Sequence, residues 1–517
     1  MLHDYILILC FYIGLLLKKA QMKGENFIEE LINALNPSEK RYVKLYLKRN
    51  TPESKDNNYL KLFLILEKNI DITDKEIIRQ FPKKFTANQL SVTKFYLTNQ
   101  ILKALENFQY EKSKEQKIRS GLSHVSILFS KSMYDQSLKL CKKLHQAAIK
   151  NDLLFYQLEI KLWEAKILSK KVESKNPEAI IEKTFRDLNA ISDSLNTYIK
   201  LQEIDYLILL QNQRGGLTRK PEEELKIKEW VKKVEASKTE TLGSFKNEYL
   251  YHHILSLGYY QLQDTDKNFQ HRKGLIELFD KYEEMKTTFA DEYISTLNNF
   301  ILVCGIQKKE EQFFDYLQIL KSYTSNDRNL ITKVLYTAYT QELLYYYNNK
   351  NYTAALELIP KIDTFLIEHE KGIPLSSKML FMFLITGIYL GSGKKEKALE
   401  WNNRFLNYPD AEKIYDLYLY SRIFQIMIHF EMGNQILVNS LLKSIYRHLL
   451  QNERLYLFEK KLIAFLKNIL KDNNKIKQYF LEMLNDIKTL KKDPYEKKAF
   501  QYFDFETWLS KKIELLN

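Results

Sequence analysis

The stretch FMFLITGIYLGSGKKEKALEWNNRFLNYPD, residues 381–410, decides how the rest of the chain reads. Phe381, Leu384, Ile385, Ile388 and Tyr389 recur at three and four residues and mark one face of a helix. Gly391 and Gly393 then supply a turn, because glycine enters positive φ at no steric cost. Ala398, Trp401 and Phe405 mark one face of a second helix, and Ala398 is small where the two helices would cross closely. The unit is a pair of antiparallel helices with an apolar seam between them.

Working outward, the position of Ala398 recurs. Ala355 stands 43 residues before it, Val438 stands 40 after it, and Phe480 follows a further 42 on. Phe314 lies 41 before Ala355, and near the front Ser137 and Ala179 are 42 apart. The 135 residues from Ala179 to Phe314 hold three steps of 45, with weakly marked anchors near Glu224 and His271. A fixed period of this kind is the signature of a helical array, here of about nine units. Pro360 is the discordant residue: inside ALELIPKIDTFLIEH it implies a kink or break, since an interior proline costs about 3 kcal/mol.

The unit at 381–410 resembles a tetratricopeptide repeat, with Tyr389, Gly393 and Ala398 at the spacing of that family's Tyr, Gly and Ala. The family's Trp is absent, its Leu-Gly is replaced by Ile385-Thr386, and Pro409 falls one residue early. A period near 42 exceeds the 34 residues of the standard repeat and implies longer helices or loops, as in HEAT-like arrays. The resemblance implies an all-α fold: a right-handed α-solenoid of about nine tetratricopeptide-like helix pairs, preceded by a small helical domain. It also implies a concave surface lined by first helices, where Asn299, Thr340, Tyr347 and Tyr420 would meet a peptide or protein partner.

Composition agrees with a helical reading. Only 14 Gly and 9 Pro occur in 517 residues, under half of ordinary usage, which disfavours turn-rich β folds and flexible low-complexity chains. At 45% hydrophobic and 28% charged, the chain can bury a core. The length argues for several domains or an elongated array.

The net charge of +14 is unevenly placed. Residues 22–120 carry 19 basic and 13 acidic side chains, residues 421–517 carry 17 and 11, and the 300 residues between them are nearly balanced. Basic ends suit either solvated faces or contact with nucleic acid, anionic lipid or an acidic protein. Cys10, Cys141 and Cys304 are odd in number and far apart, so they build neither a disulfide framework nor a CxxC metal site, and a reducing cytoplasmic compartment is expected.

Three segments follow: residues 1–21, a basic helical domain over 22–120, and the repeat array over 121–517. In the first, YILILCFYIGLLL at 5–17 is 13 apolar residues, short of the roughly 20 needed to span a bilayer. It reads as a weak anchor, as an inefficient secretion signal, or as translated sequence ahead of a start at Met22. Membrane contact is expected only if it is retained as an anchor. In the second, Ser38 looks like an N-cap, while Thr73 with Glu76 and Thr86 with Gln89 form capping boxes. About four helices ending near Gly121 are expected.

Catalytic motifs are wanting. GSGKK at 391–395 fails the phosphate-loop pattern at Ile388 and Lys395. Arg214-Gly215-Gly216 reads as a loop entering a helix with Pro221 in its first turn and Glu222 to Glu224 at its positive end. No HExxH occurs, and the adjacent His252 and His253 diverge by about 100° on a helix, which suits surface or interhelix roles. No enzyme, cofactor or metal is expected. The favoured function is a protein-protein interaction scaffold or adaptor. The alternative is a nucleic-acid-binding regulator whose basic domain uses Lys44, Lys48, Arg49, Lys83, Lys84, Gln89 and Lys94, with 74–105 as two helices joined by a short turn.

Overall fold

The computed structural model describes residues 27–49, 57–69, 72–82, 85–110, 113–170, 177–215, 219–237 and 243–515. The expectations for the apolar run at 5–17, for Cys10 and for Met22 therefore lie outside the described residues. Every regular element described is helical, and no strand occurs among the described residues. No helix described is long and apolar enough to cross a membrane. The chain packs as two units, residues 1–188 and 189–517, with the boundary inside the 39-residue helix Pro177–Gly215.

In the first unit, helices Phe27–Ala34, Pro37–Arg49, Asn58–Lys68, Asp74–Arg79 and Ala87–Tyr110 close on one core that includes Ile32, Val43, Phe63, Leu97 and Ile101. Both predicted capping boxes form: Glu76 accepts from the Thr73 N–H at 2.9 Å, and Gln89 from the Thr86 N–H at 2.9 Å. The cap of Pro37–Arg49 is Asn36 rather than Ser38. Asn36 Oδ1 accepts from Glu39 N at 2.9 Å while Glu39 returns the bond to Asn36 N, and Pro37 fills the first helical position, where a missing N–H costs nothing. Gly121, expected near a domain end, sits inside helix Lys114–Ser130, which packs with Tyr134–Lys150 and Leu154–Leu168 around a separate core.

The second unit is built largely from helix pairs packed in series. Phe245–Gln261 pairs with Thr265–Lys281, Ala290–Ile306 with Glu310–Lys321, Arg328–Asn348 with Tyr352–Glu368, Leu375–Gly391 with Lys395–Leu406, and Tyr415–Glu431 with Gln435–Gln451. From Ala290–Ile306 to Tyr415–Glu431, each first helix also packs on the first helix of the next pair.

One local device sets this rhythm. A single residue with positive φ joins the two helices of each pair: Gln263, Lys308, Lys350, Gly393 and Gly433. In each turn the next N–H reaches back to a carbonyl five residues earlier, as in Lys394 N to Tyr389 O at 2.9 Å and Asn351 N to Tyr346 O at 2.9 Å. That bond satisfies an otherwise orphaned carbonyl at the helix end. The turns lie 45, 42, 43 and 40 residues apart.

Five residues beyond each turn comes a buried anchor: Asn268, Phe313, Ala355, Ala398 and Val438, each no more than 4% exposed. The anchors near Ala355, Ala398 and Val438 thus fall where the periodicity puts them. The other two are displaced. Phe313 is the anchor and its neighbour Phe314 is exposed, while Asn268 takes the place sought near His271. Ala179 is exposed near the start of Pro177–Gly215, and Glu224 lies in the first turn of Pro221–Ala236 paired with Lys228. Of the three even steps expected between 179 and 314, the last is kept, at 45 residues from Asn268 to Phe313, while the earlier ones give way to the very long helix Pro177–Gly215 and the shorter Pro221–Ala236. That long helix runs through Arg214 and Gly215, where a loop was expected.

Helix Tyr352–Glu368 continues through Pro360 without a break. The ring lies on the exposed face, where water can take the carbonyl left without its N–H, while Ile359 and Ile362 on either side are buried.

Candidate functional site

Two cavities in the second unit gather the chemistry of the chain. The larger, about 550 Å³, opens where three consecutive first helices end: Tyr347 on Arg328–Asn348, Leu390 on Leu375–Gly391, and Glu431 on Tyr415–Glu431. Two glycines make room for its aromatic wall. A Cβ at Gly387 would lie 2.8 Å from the Tyr347 ring, and one at Gly391 would lie 2.5 Å from the ring of Tyr352. The opposite wall is Phe500, Phe503 and Trp508, from the chain's last turns and helix Phe505–Leu515.

Charged side chains tie that last helix down. The Glu431 carboxylate, 7% exposed, accepts from Trp508 Nε1 at 2.9 Å and from Lys512 Nζ, and lies 3.7 Å from Lys395 Nζ. Lys350 Nζ reaches Asp504 at 2.9 Å and donates to Thr507 Oγ1 at 2.8 Å. Burial would raise the Asp504 carboxyl, but bonds from Thr507 and Lys350 outweigh it and hold the group below its ordinary value. Burial pushes the Tyr347 phenol well above its ordinary value, so it stays protonated, an uncharged polar tip on an apolar ring.

The smaller cavity, about 70 Å³, is polar. Arg219 lies on its wall, with Nη1 2.6 Å from Glu459 and Nη2 2.7 Å from Glu496, and its guanidinium carbon sits 4.1 Å from the centre of the Tyr456 ring. Burial works against the guanidinium charge, and the two carboxylates more than offset it. Asp416 accepts from Arg454 at 2.6 Å and from the Tyr502 hydroxyl at 2.8 Å. Tyr420, 2% exposed, stacks on Tyr502 at 4.2 Å, and its hydroxyl has no hydrogen-bond partner among the described residues.

The four positions assigned to a concave face therefore divide. Tyr347 lines the large cavity and Tyr420 the small one. Thr340 donates to the Tyr336 carbonyl at 2.7 Å, and Asn299 accepts from Asn298 at 3.2 Å. Sequence reasoning missed Trp508, 77 residues from the Glu431 it bonds, with Phe503 and Phe500 beside it, and Arg219, 240 residues from Glu459.

The residues assigned to nucleic acid are partly committed within the first unit. Lys94 bonds Glu29 and Asp74, each at 2.8 Å, and Lys44 pairs with Glu67 at 3.0 Å. Gln89 serves the Thr86 cap, Lys48 and Arg49 are exposed, and Lys83 and Lys84 lie outside the described residues.

Reactive groups elsewhere have structural partners. His252 meets His271 at 3.2 Å and His253 meets Asp205 at 2.8 Å, so the adjacent histidines serve different helices. Among the described residues no group of three metal-ligating side chains converges. Burial pushes the Cys141 thiol up to about 12 and that of Cys304 to about 11, which keeps both protonated. GSGKK forms the turn at Gly393 between two helices. No protein-family model, curated protein or solved structure matches this chain.

Proposed function

We propose that this chain is a non-enzymatic scaffold or adaptor, a divergent tetratricopeptide-like solenoid that receives a peptide or protein segment on its second unit. The observation that carries the reading is the 550 Å³ cavity at the ends of three successive first helices. Its size falls within the roughly 300–1,000 Å³ of small-ligand sites, and its aromatic wall with a few placed polar groups is the usual composition of such a site. Tyr347, Tyr352 and Trp508 offer large contact area with few rotatable bonds, which favours recognition. The lining carries neither His nor Cys, and its two carboxylates are engaged by lysines, so it is equipped for holding rather than for proton transfer. Three scattered cysteines fit a cytoplasmic setting.

The test is to pan a phage-displayed 12-residue peptide library against the full chain, then repeat it with Ser392→Trp, which fills the rim from a partly exposed turn. The expected result is a family of peptides bound by the wild type and rejected by the variant. If no enriched peptide distinguishes the two proteins, the cavity is not the binding site.

A further inference from the structure

The charges around the large cavity do not balance. Four lysines line it, Lys350, Lys395, Lys511 and Lys512, against two carboxylates, Glu431 and Asp504. Lys350 is matched by Asp504, while Lys395 and Lys512 share the single carboxylate of Glu431. Lys511 is exposed at the rim and carries no ion pair among the described residues. Two positive charges are therefore left over beside a wall of Tyr347, Tyr352, Leu390, Phe500, Phe503 and Trp508.

From this juxtaposition we infer that the segment held here is an acidic one, presenting a bulky apolar side chain to the aromatic wall and Asp or Glu side chains to Lys511 and to the Lys395–Lys512 pair. This rests on the peptide-binding reading above and adds a ligand class to it. The apolar contact supplies most of the affinity and the lysines select among partners, since charge complementarity acts chiefly on specificity and association rate. A cationic or neutral segment would leave the two surplus ammonium groups unanswered. The lysines come from different elements, Lys395 at the start of Lys395–Leu406 and Lys511 and Lys512 on Phe505–Leu515, so they offer more than one point of contact to acidic side chains.

The experiment uses the peptides enriched in the panning above, synthesised with fluorescein at the N terminus and in both free-acid and amidated forms. Each is titrated into the full chain by fluorescence polarisation at 50 mM and 300 mM salt. The expected pattern is an Asp or Glu within two residues of an aromatic or aliphatic anchor, and a roughly tenfold loss of affinity for Lys511→Glu at low salt that shrinks at high salt. Amidation should leave binding unchanged. Cavity-dependent peptides that lack acidic residues, or that bind Lys511→Glu as tightly as the wild type, overturn this inference while leaving the binding function intact. Affinity lost on amidation would assign the lysines to a chain terminus and overturn the side-chain assignment. Failure of the panning itself removes the function and this inference together.

Discussion

Arg219 and Glu459 stand 240 residues apart in sequence, yet a guanidinium nitrogen of the first lies 2.6 Å from a carboxylate oxygen of the second, with both side chains largely buried. In an ideal linear array each repeat meets only its neighbours. This contact instead joins the segment entering Pro221–Ala236 to helix Leu457–Lys471, and Glu496 joins the same guanidinium from a third element. Removing one partner of such a pair strands the other in a poorly hydrated site, at a cost of about 3–5 kcal/mol. Glu459→Gln is therefore expected to lower the urea midpoint of the second unit substantially, with Glu496 softening the loss. Arg219→Met combined with Glu459→Met and Glu496→Gln should recover most of it, because all three charges then leave the site together and no carboxylate is stranded there. A single variant with an unchanged midpoint would mean that the pair does not hold these elements together.

The tyrosines beside that pair are expected to behave oppositely. Tyr502 donates to Asp416 at 2.8 Å, whereas the Tyr420 hydroxyl has no partner among the described residues, although the two rings stack at 4.2 Å. Deleting a bonded hydroxyl leaves its acceptor short, at about 1–2 kcal/mol, while deleting an unbonded one is close to neutral. Thermal unfolding should show a clear drop for Tyr502→Phe and little change or a small rise for Tyr420→Phe. Equal drops would show that both hydroxyls are engaged.

Where the chain was legible, a buried apolar anchor of modest size marked the second helix, with a glycine at two of the three turns and Lys350 at the third, before Ala355. Gly393 with Ala398 and Gly433 with Val438 announce their turns, because the positive φ and the close crossing both leave a mark in residue type. The same turns at Gln263 and Lys308 leave none: an ordinary residue is forced into the left-handed region, and the anchors are the polar Asn268 and the bulky Phe313. The phase was lost there for that reason, and Pro177–Gly215 replaced the even spacing that averaging across the gap had supplied. Of the large cavity's lining, Tyr347 was the one residue assigned from the sequence, because it lies on a first helix. The rest was not, because Trp508 and Phe503 reach it through contacts that no local pattern encodes.

Those forced turns make a prediction of their own. Lys308 and Gln263 hold φ of 56° and 58°, a region that costs an L-residue roughly 1 kcal/mol or more and that glycine enters freely. Lys308→Gly and Gln263→Gly should each raise stability by about 0.5–1 kcal/mol, net of glycine's greater freedom in the unfolded chain. Gly393→Ala, at φ 78° with open space around its Cβ, should lower it by a similar amount, since backbone strain and not crowding is the penalty. Melting temperatures for the three variants measure this directly, and a loss on Lys308→Gly would show that the strain is relieved by some contact of the lysine.

Acid should weaken the second unit through two histidines. His429, 8% exposed, takes a hydrogen bond at Nδ1 from Asn434 Nδ2 at 3.1 Å, across the Gly433 turn. Protonating that nitrogen would set two donors against each other. Burial lowers the His429 pKa although the group lies in the last turn of its helix, where the dipole favours a cation, so desolvation outweighs the dipole. Burial and the nearby Arg422 lower His448 as well. Both groups bind protons more weakly folded than unfolded, so their contribution is fully present above the unfolded value of about 6.5 and is lost as pH falls through the lower folded values. Urea midpoints between pH 7.5 and 5 should therefore decline, and His429→Gln, which keeps an acceptor for Asn434 but cannot titrate, should flatten the decline. A decline of the same slope in His429→Gln and His448→Gln together would assign the acid sensitivity to other groups.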